Sequence, residues 1–151
     1  MAYYFSYDAE LSFLDKIGLS TQEYGLLYVP EERHCTMLYS QGNYQEKYSQ
    51  IILPNTQAII KDVVVWENEK SNYLVALLDS DILTQYHELL KTKIEDNENQ
   101  THFNAHITLQ KTKPEERTLS PEFFHKLKEQ PVSLSGFRCI NQARKNKLNI
   151  K

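Results

Sequence analysis

The sequence predicts an α+β domain in which β-strands alternate with two longer helical segments. Four segments are rich in β-branched, aromatic or alternating apolar residues, as strands are: 34–39, 58–66, 72–78 and 105–109. Residues 79–94 instead repeat their apolar positions with a helical period. The length of 151 residues suits one domain, which we expect to span residues 1–151. An α/β sandwich is the alternative arrangement of the same elements.

The N-terminal part of the chain is predicted to contain a strand, a helix and two short elements. Residues 2–7 are rich in aromatic side chains and suit a strand. Asp8 fits the N-cap of a helix that ends at Gly18. The apolar face of that helix is formed by Leu11, Leu14 and Ile17. A short strand is expected over residues 25–29 and a short helix over residues 44–49.

The rest of the chain is predicted to alternate strands with one long and one short helix. A hairpin of the strands over residues 58–66 and 72–78 precedes the helix over 79–94. The strand over 105–109 comes next, followed by a short helix that begins at Pro121. Two closing strands are expected at residues 132–141 and 147–150.

Composition and charge exclude several classes of protein. With 17 basic and 20 acidic residues the net charge is −3, whereas a duplex-DNA binder needs a basic face. The two cysteines, Cys35 and Cys139, form neither a disulfide framework nor a four-ligand zinc site. The first ten residues lack the pattern of a signal peptide, and no stretch approaches the roughly 18 apolar residues of a membrane helix. We therefore expect a cytoplasmic protein that binds neither membranes nor duplex nucleic acid.

A His-x-Thr motif occurs twice, as His34-Cys35-Thr36 and His106-Ile107-Thr108. Both copies fall in predicted strands, where residues i and i+2 point to the same face. Each histidine therefore shares a face with its threonine, and the residue between them faces the apolar side. This alternation predicts that both His/Thr pairs look into a cleft or into solvent.

Two such pairs suit the cleavage of a phosphodiester beside a ribose hydroxyl. One imidazole can take a proton from the attacking oxygen while the other protonates the departing oxygen. The threonine hydroxyls can donate hydrogen bonds to the phosphate oxygens, where negative charge builds. This chemistry needs no metal and no other cofactor.

Other interpretations of the histidines stay open. Two histidines can ligate a metal, although neither motif offers a third ligand at close spacing. The repeat can also be incidental in a structural protein. The remaining histidines, His87, His102 and His125, have no hydroxyl two residues later and are interpreted as structural or surface residues.

The two motifs resemble those of the 2H phosphoesterase superfamily, which includes the LigT-like RNA 2′,3′-cyclic phosphodiesterases. The match is carried by HCTMLYS at residues 34–40 and HITL at residues 106–109. Within the superfamily, Tyr39-Ser40 and the LVALLDSD segment at residues 74–81 are similar to the bacteriophage anti-CBASS phosphodiesterases. The resemblance covers roughly residues 2–110. Met37 departs from it, since leucine or isoleucine is more usual there.

The resemblance implies a two-lobed, pseudo-two-fold α+β fold in which each lobe gives one His-x-Thr strand to a central cleft. It implies cofactor-free cleavage of the 3′–5′ bonds of cyclic di- and trinucleotides, the alarm signals of CBASS antiphage immunity, in the host cytoplasm if a phage encodes the chain. His34 and His106 would be the acid/base pair, and Thr36 and Thr108 would hold the phosphate. Which histidine is the base stays open, as does the oligomeric state.

The resemblance also implies aromatic side chains that hold nucleotide bases. Trp66 is the first candidate for stacking on a purine; closing the edge of the core is its alternative role. Tyr4 on the first strand is a second candidate, with Tyr3 and Tyr7 close by in sequence. Positive charge for the cleft can come from a set of basic residues that are otherwise ordinary solvated charges: Arg33, Lys111, Arg138 and Arg144.

Two further functions use the same features. An RNA-end enzyme would act on 2′,3′-cyclic or 2′–5′-linked phosphates with the same two histidines. A non-catalytic protein would only sequester a cyclic nucleotide. Turnover of cyclic GMP-AMP in EDTA separates these possibilities.

Overall fold

The computed structural model describes residues 3–11, 33–94, 103–114 and 127–142. Within them lie six strands: β1 (Tyr3–Glu10), β2 (His34–Ser40), β3 (Thr56–Glu67), β4 (Asn72–Asp79), β5 (His106–Thr112) and β6 (Pro131–Asn141). One α-helix, α1 (Asp81–Lys93), follows β4, and a 3₁₀ turn (Glu46–Gln50) follows β2.

The six strands form one antiparallel sheet in the order β2-β1-β6-β3-β4-β5. Its middle joint is short, because β6 pairs only with the first four residues of β3, Thr56 to Ile59. The rest of β3 pairs with β4. The sheet therefore consists of a β1 half (β2, β1 and β6) and a β4 half (β3, β4 and β5), each with a His-x-Thr strand at its outer edge.

The two edge strands, β2 and β5, lie at opposite ends of the strand order and nevertheless approach each other. β2 and β5 are in contact, and the backbone N–H of His106 lies within hydrogen-bonding reach of the Cys35 sulfur. Strands that are five places apart in the sheet can meet only if the sheet curls strongly, which the ordinary twist of sheets favours. The curl brings the two motifs to one place.

The core lies on one side of this curled sheet. In β1 the alternating side chains Tyr3, Phe5 and Tyr7 are fully buried, as period-two packing predicts. α1 covers the same side with Leu83, His87 and Leu90, which recur at helical spacing. The Tyr7 hydroxyl donates to the Pro54 carbonyl at 2.7 Å, so its buried polar tip has a partner.

α1 begins and ends at residues that suit a helix. The Ser80 hydroxyl accepts a hydrogen bond from the Leu83 N–H at 3.1 Å, which makes Ser80 the N-cap. Asp81 lies in the first turn, and Lys91 and Lys93 lie in the last, where each charge complements the helix dipole. The predicted helix over 79–94 is thus confirmed, with its start two residues later.

Most sequence-based strand predictions are confirmed, and one N-cap is wrong. The strands at 34–39, 58–66, 72–78 and 132–141 are present and slightly longer than expected. Asp8 is not an N-cap: it lies inside β1 and pairs with His34 of β2. Tertiary pairing overrides the local preference of aspartate for helix starts. The predicted strands at 2–7 and 105–109 are present as β1 and β5, and the short helix at 44–49 is present as the 3₁₀ turn (Glu46–Gln50). Most of the helix predicted from Asp8 to Gly18 lies outside the described residues, as do the strands at 25–29 and 147–150 and the helix beginning at Pro121.

Each His-x-Thr strand carries one extra residue at the same place. In β2 the pairing steps from Leu38 directly to Thr36, so Met37 has no opposite residue in β1. In β5 the pairing steps from Gln110 to Thr108, so Leu109 is the extra residue. Both bulges lie three residues after the histidine. A bulge re-aims the side chains around it, so the two strands turn their motifs in the same way.

Candidate active site

The His-x-Thr strands have the alternation that the sequence predicts. Cys35 and Ile107 are fully buried. His34 is exposed, and Thr36, His106 and Thr108 are partly exposed. The histidine and threonine of each motif therefore share the face that points away from the core.

The curl of the sheet brings the two histidines within electrostatic reach of each other. A positive charge on His34 lowers the pKa of His106, which requires a short path between the rings. The backbone N–H of His106 also lies within hydrogen-bonding reach of Cys35, the residue that follows His34. The structure thus juxtaposes two imidazoles that are 72 residues apart in sequence (106 − 34).

His106 is held in one orientation by its own strand entry. Its Nδ1 lies 2.8 Å from the Asn104 carbonyl oxygen, which can only accept, so Nδ1 carries a hydrogen and donates it. Nε2 is then the nitrogen that can take or give a proton. Burial lowers the pKa of His106; the Asn104 carbonyl opposes that shift, and the charge of His34 adds to it.

Each histidine has one of the two predicted aromatic residues as its neighbour. The Trp66 ring meets the His106 ring edge-on, with centroids 4.5 Å apart. The Tyr4 ring lies 6.4 Å from the His34 ring. Both aromatic residues are partly exposed, and each lies beside a different motif histidine. Their roles in binding and catalysis stay predictions.

A charged pair that the sequence did not single out lies beside His34. Asp8 is the cross-strand partner of His34, and directly paired residues in an antiparallel ladder share a face. Two nitrogens of Arg138 bind the two Asp8 carboxylate oxygens, each at 3.0 Å. This hydrogen bonding raises the pKa of Arg138, and a Tyr4 interaction adds to the shift. Arg138 therefore belongs to the same surface as Tyr4 and His34.

The other basic candidates contribute differently. Arg33 is buried. Lys111 is exposed on β5 and lies 5.8 Å from the centre of the Tyr73 ring. Arg144 lies outside the described residues. Arg138 contacts Asp8, which is the cross-strand partner of His34.

Burial keeps Cys35 out of the chemistry. It raises the pKa of the Cys35 thiol to about 12, and the nearby His106 N–H only partly offsets this. A thiol with that pKa is not a nucleophile at neutral pH. Among the described residues, no three His, Cys, Asp or Glu side chains are grouped so that they can hold a metal ion.

Comparison with known proteins gives the fold a precedent. No protein-family model matches the chain, and no curated protein matches it in sequence. Among solved structures, the chain is similar to apo LigT from E. coli, with a TM-score of 0.58 and 16% identity over 91% of this chain and 85% of that one. The fold is therefore LigT-like, as the sequence resemblance implied. The described residues contain no helix that is long and apolar enough to cross a membrane.

Proposed function

We propose that this protein is a phosphodiesterase of the 2H type, with His34 and His106 as its acid/base pair. The observation that carries the proposal is the meeting of two His-x-Thr strands from opposite edges of a LigT-like sheet, with their imidazoles in electrostatic contact. Two imidazoles can supply a base and an acid without a metal ion. Thr36 and Thr108 share the faces of these imidazoles and donate to the phosphate oxygens.

The roles of the two histidines divide by environment. His106 has a lowered pKa and a Nε2 lone pair, so at neutral pH it is the unprotonated group that can accept a proton. His34 is exposed beside a carboxylate that is paired with Arg138. We infer that His106 is the general base and His34 the general acid.

The proposed reaction starts on the ribose. His106 Nε2 takes the 2′-hydroxyl proton as that oxygen attacks phosphorus. The bond from phosphorus to the 5′-oxygen breaks, and His34 gives its proton to the departing oxygen. Charge and atoms balance: one proton enters His106, one leaves His34, and a 2′,3′-cyclic phosphate end forms. Hydrolysis of that end reverses the two roles, with water as the attacking group.

We propose cyclic di- and trinucleotides as the substrate class, and relief of CBASS immunity as the biological outcome. Tyr4 and Trp66 lie beside different histidines, 6.4 Å and 4.5 Å away between ring centres. A phosphodiester held between the two imidazoles would therefore have one aromatic ring available on each side. Bases stack on such rings, so this arrangement suits a nucleotide on both sides of the scissile phosphate.

The test is incubation with cyclic GMP-AMP in EDTA, followed by separation of cyclic and linear products. We expect linear product from the wild type, none above background from His34→Ala or His106→Ala, and wild-type activity from Gln57→Ala, an exposed control at the other end of β3. Cleavage of only RNA 2′,3′-cyclic ends would replace the substrate class. Tight binding of intact ligand without product would indicate sequestration and overturn the proposal.

A further inference from the structure

His87 is a buried histidine outside the acid/base pair that touches both motif-bearing parts of the chain. It lies on α1 and is 6% exposed. α1 packs against β2, and the His87 ring contacts one residue of β2 and one residue shortly before β5. A leucine or phenylalanine would fill such a core position without burying polar nitrogens.

One edge of the His87 ring binds the bulge of β2. Nδ1 lies 2.7 Å from the Met37 carbonyl oxygen, so Nδ1 carries a hydrogen and donates it. Met37 is the extra residue of β2 and follows Thr36 directly. This hydrogen bond thus fixes the peptide that leaves the first His-x-Thr motif.

The face of the same ring packs against the approach to β5. His87 and Phe103 are stacked, with centroids 4.4 Å apart and planes 8° apart. Phe103 precedes Asn104, whose carbonyl oxygen orients His106. The stack therefore positions the segment from which the second motif starts.

The second ring nitrogen of His87, Nε2, makes no compensating hydrogen bond within the described part of the chain. Nε2 is buried and has no hydrogen-bond partner among the described residues. A histidine at this position therefore buries one polar atom at a cost, and Nδ1 is the atom that compensates. The useful property of His87 is the combination of a flat ring and one donor, which no apolar side chain offers.

We propose that His87 is a positioning residue that sets the separation of the two acid/base histidines by holding the β2 bulge and the β5 approach together. β2 and β5 are not neighbours in the sheet order, so the ladder itself does not fix their distance. This inference rests on the proposed phosphodiesterase function. It assigns His87 no contact with substrate.

The variants His87→Asn and His87→Phe separate the two contacts. The amide nitrogen of asparagine occupies the place of Nδ1 and keeps the donor, whereas phenylalanine keeps the stack and loses the donor. For His87→Phe we expect kcat to fall roughly ten- to a hundredfold, as misplaced catalytic groups do. KM should stay within about twofold, because the groups proposed to bind the bases are untouched. His87→Asn keeps the donor to Met37 but loses the stack on Phe103, so its kcat should also fall below that of the wild type.

A readout without turnover completes the test. The ring NMR signal of His34 should shift in His87→Phe, which loses the bond to Met37, and the signal of His106 should shift in His87→Asn, which loses the stack on Phe103. Both variants should be folded by circular dichroism. Equal kcat and unmoved ring signals in His87→Phe would overturn the positioning role while the proposed function stands. A wild type with no phosphodiesterase activity would overturn the proposed function, and the ring signals would still decide the role of His87.

Discussion

The β1 half and the β4 half present the same motif in opposite surroundings. Each carries His-x-Thr on its edge strand, with a bulge three residues after the histidine. In the β1 half the histidine faces Asp8 across the ladder, and Asp8 is paired with Arg138. In the β4 half the cross-strand partner of the histidine is Leu77, and a tryptophan ring covers it.

This difference explains how two equal side chains can take different roles. An imidazole beside an apolar residue and an indole loses hydration, which disfavours its charged form. An exposed imidazole opposite a carboxylate keeps its hydration. An acid/base pair requires two groups in different environments. In the proposed mechanism, the two strands position the histidines and the neighbouring residues give them different roles.

The largest expected effect is the loss of activity in the histidine variants, and a substrate with a better leaving group distinguishes the roles of the two histidines. Loss of either histidine should lower kcat/KM on a natural dinucleotide by about 10²- to 10⁴-fold. A ribonucleoside 3′-(4-nitrophenyl phosphate) has a leaving group that needs no proton. His34→Ala should recover most activity on this substrate and His106→Ala should not, as measured by nitrophenolate release. The reverse pattern would exchange the acid and the base.

The second effect is on the pH profile. A base works unprotonated, and the pKa of His106 is lowered from 6.5, so the acidic limb of kcat/KM should lie below pH 6.5. Removal of the covering ring in Trp66→Ala should let water reach His106, raise its pKa and move that limb upward. An acidic limb that does not move between wild type and Trp66→Ala would contradict burial as the cause.

The third effect compares the two aromatic rings as base platforms. Stacking of a base on an aromatic ring contributes about 1–3 kcal/mol, so Trp66→Ala and Tyr4→Ala should each raise KM roughly five- to a hundredfold. Trp66→Phe and Tyr4→Phe keep a ring and serve as matched controls with smaller changes. If only one of the two alanine variants raises KM, a base stacks only on the ring that this variant removes.

The sequence was sufficient for the strands that carry the motifs, because their signal is local. Cys35 and Ile107 are apolar neighbours of polar residues, and period-two alternation is visible without knowledge of the fold. The hairpin of β3 and β4 and the helix α1 were predictable for the same reason. The meeting of β2 and β5 was not, since the curl of a sheet leaves no local pattern and was implied only by the family resemblance.

The sequence did not reveal the contacts of Asp8 and His87, for identifiable reasons. Asp8 has a strong local preference for helix starts, and its partner Arg138 lies 130 residues away, so no window of sequence contains both. His87 was interpreted as structural or surface, and the structure shows it buried and bonded to the β2 bulge. A signal was available: Leu83, His87 and Leu90 share one helical face. Met37 and Leu38 are adjacent apolar residues that break the period-two alternation, which also indicated the bulge.

The smallest expected effect concerns the charged pair of the β1 half. Both side chains are about half exposed, at 51% and 52%, so loss of the pair should change the stability of the fold by less than about 1 kcal/mol.

The effect of the charged pair on the reaction acts through Asp8. In Arg138→Ala the carboxylate loses its counter-charge, and we expect it to stabilise the protonated form of His34 instead. A general acid works protonated, so the alkaline limb of kcat/KM should move upward. Asp8→Asn removes the charge and is the matched control, with no upward shift. If both variants leave the alkaline limb in place, the acid of the reaction is not beside this pair, and the division of roles between the two halves must be reassigned.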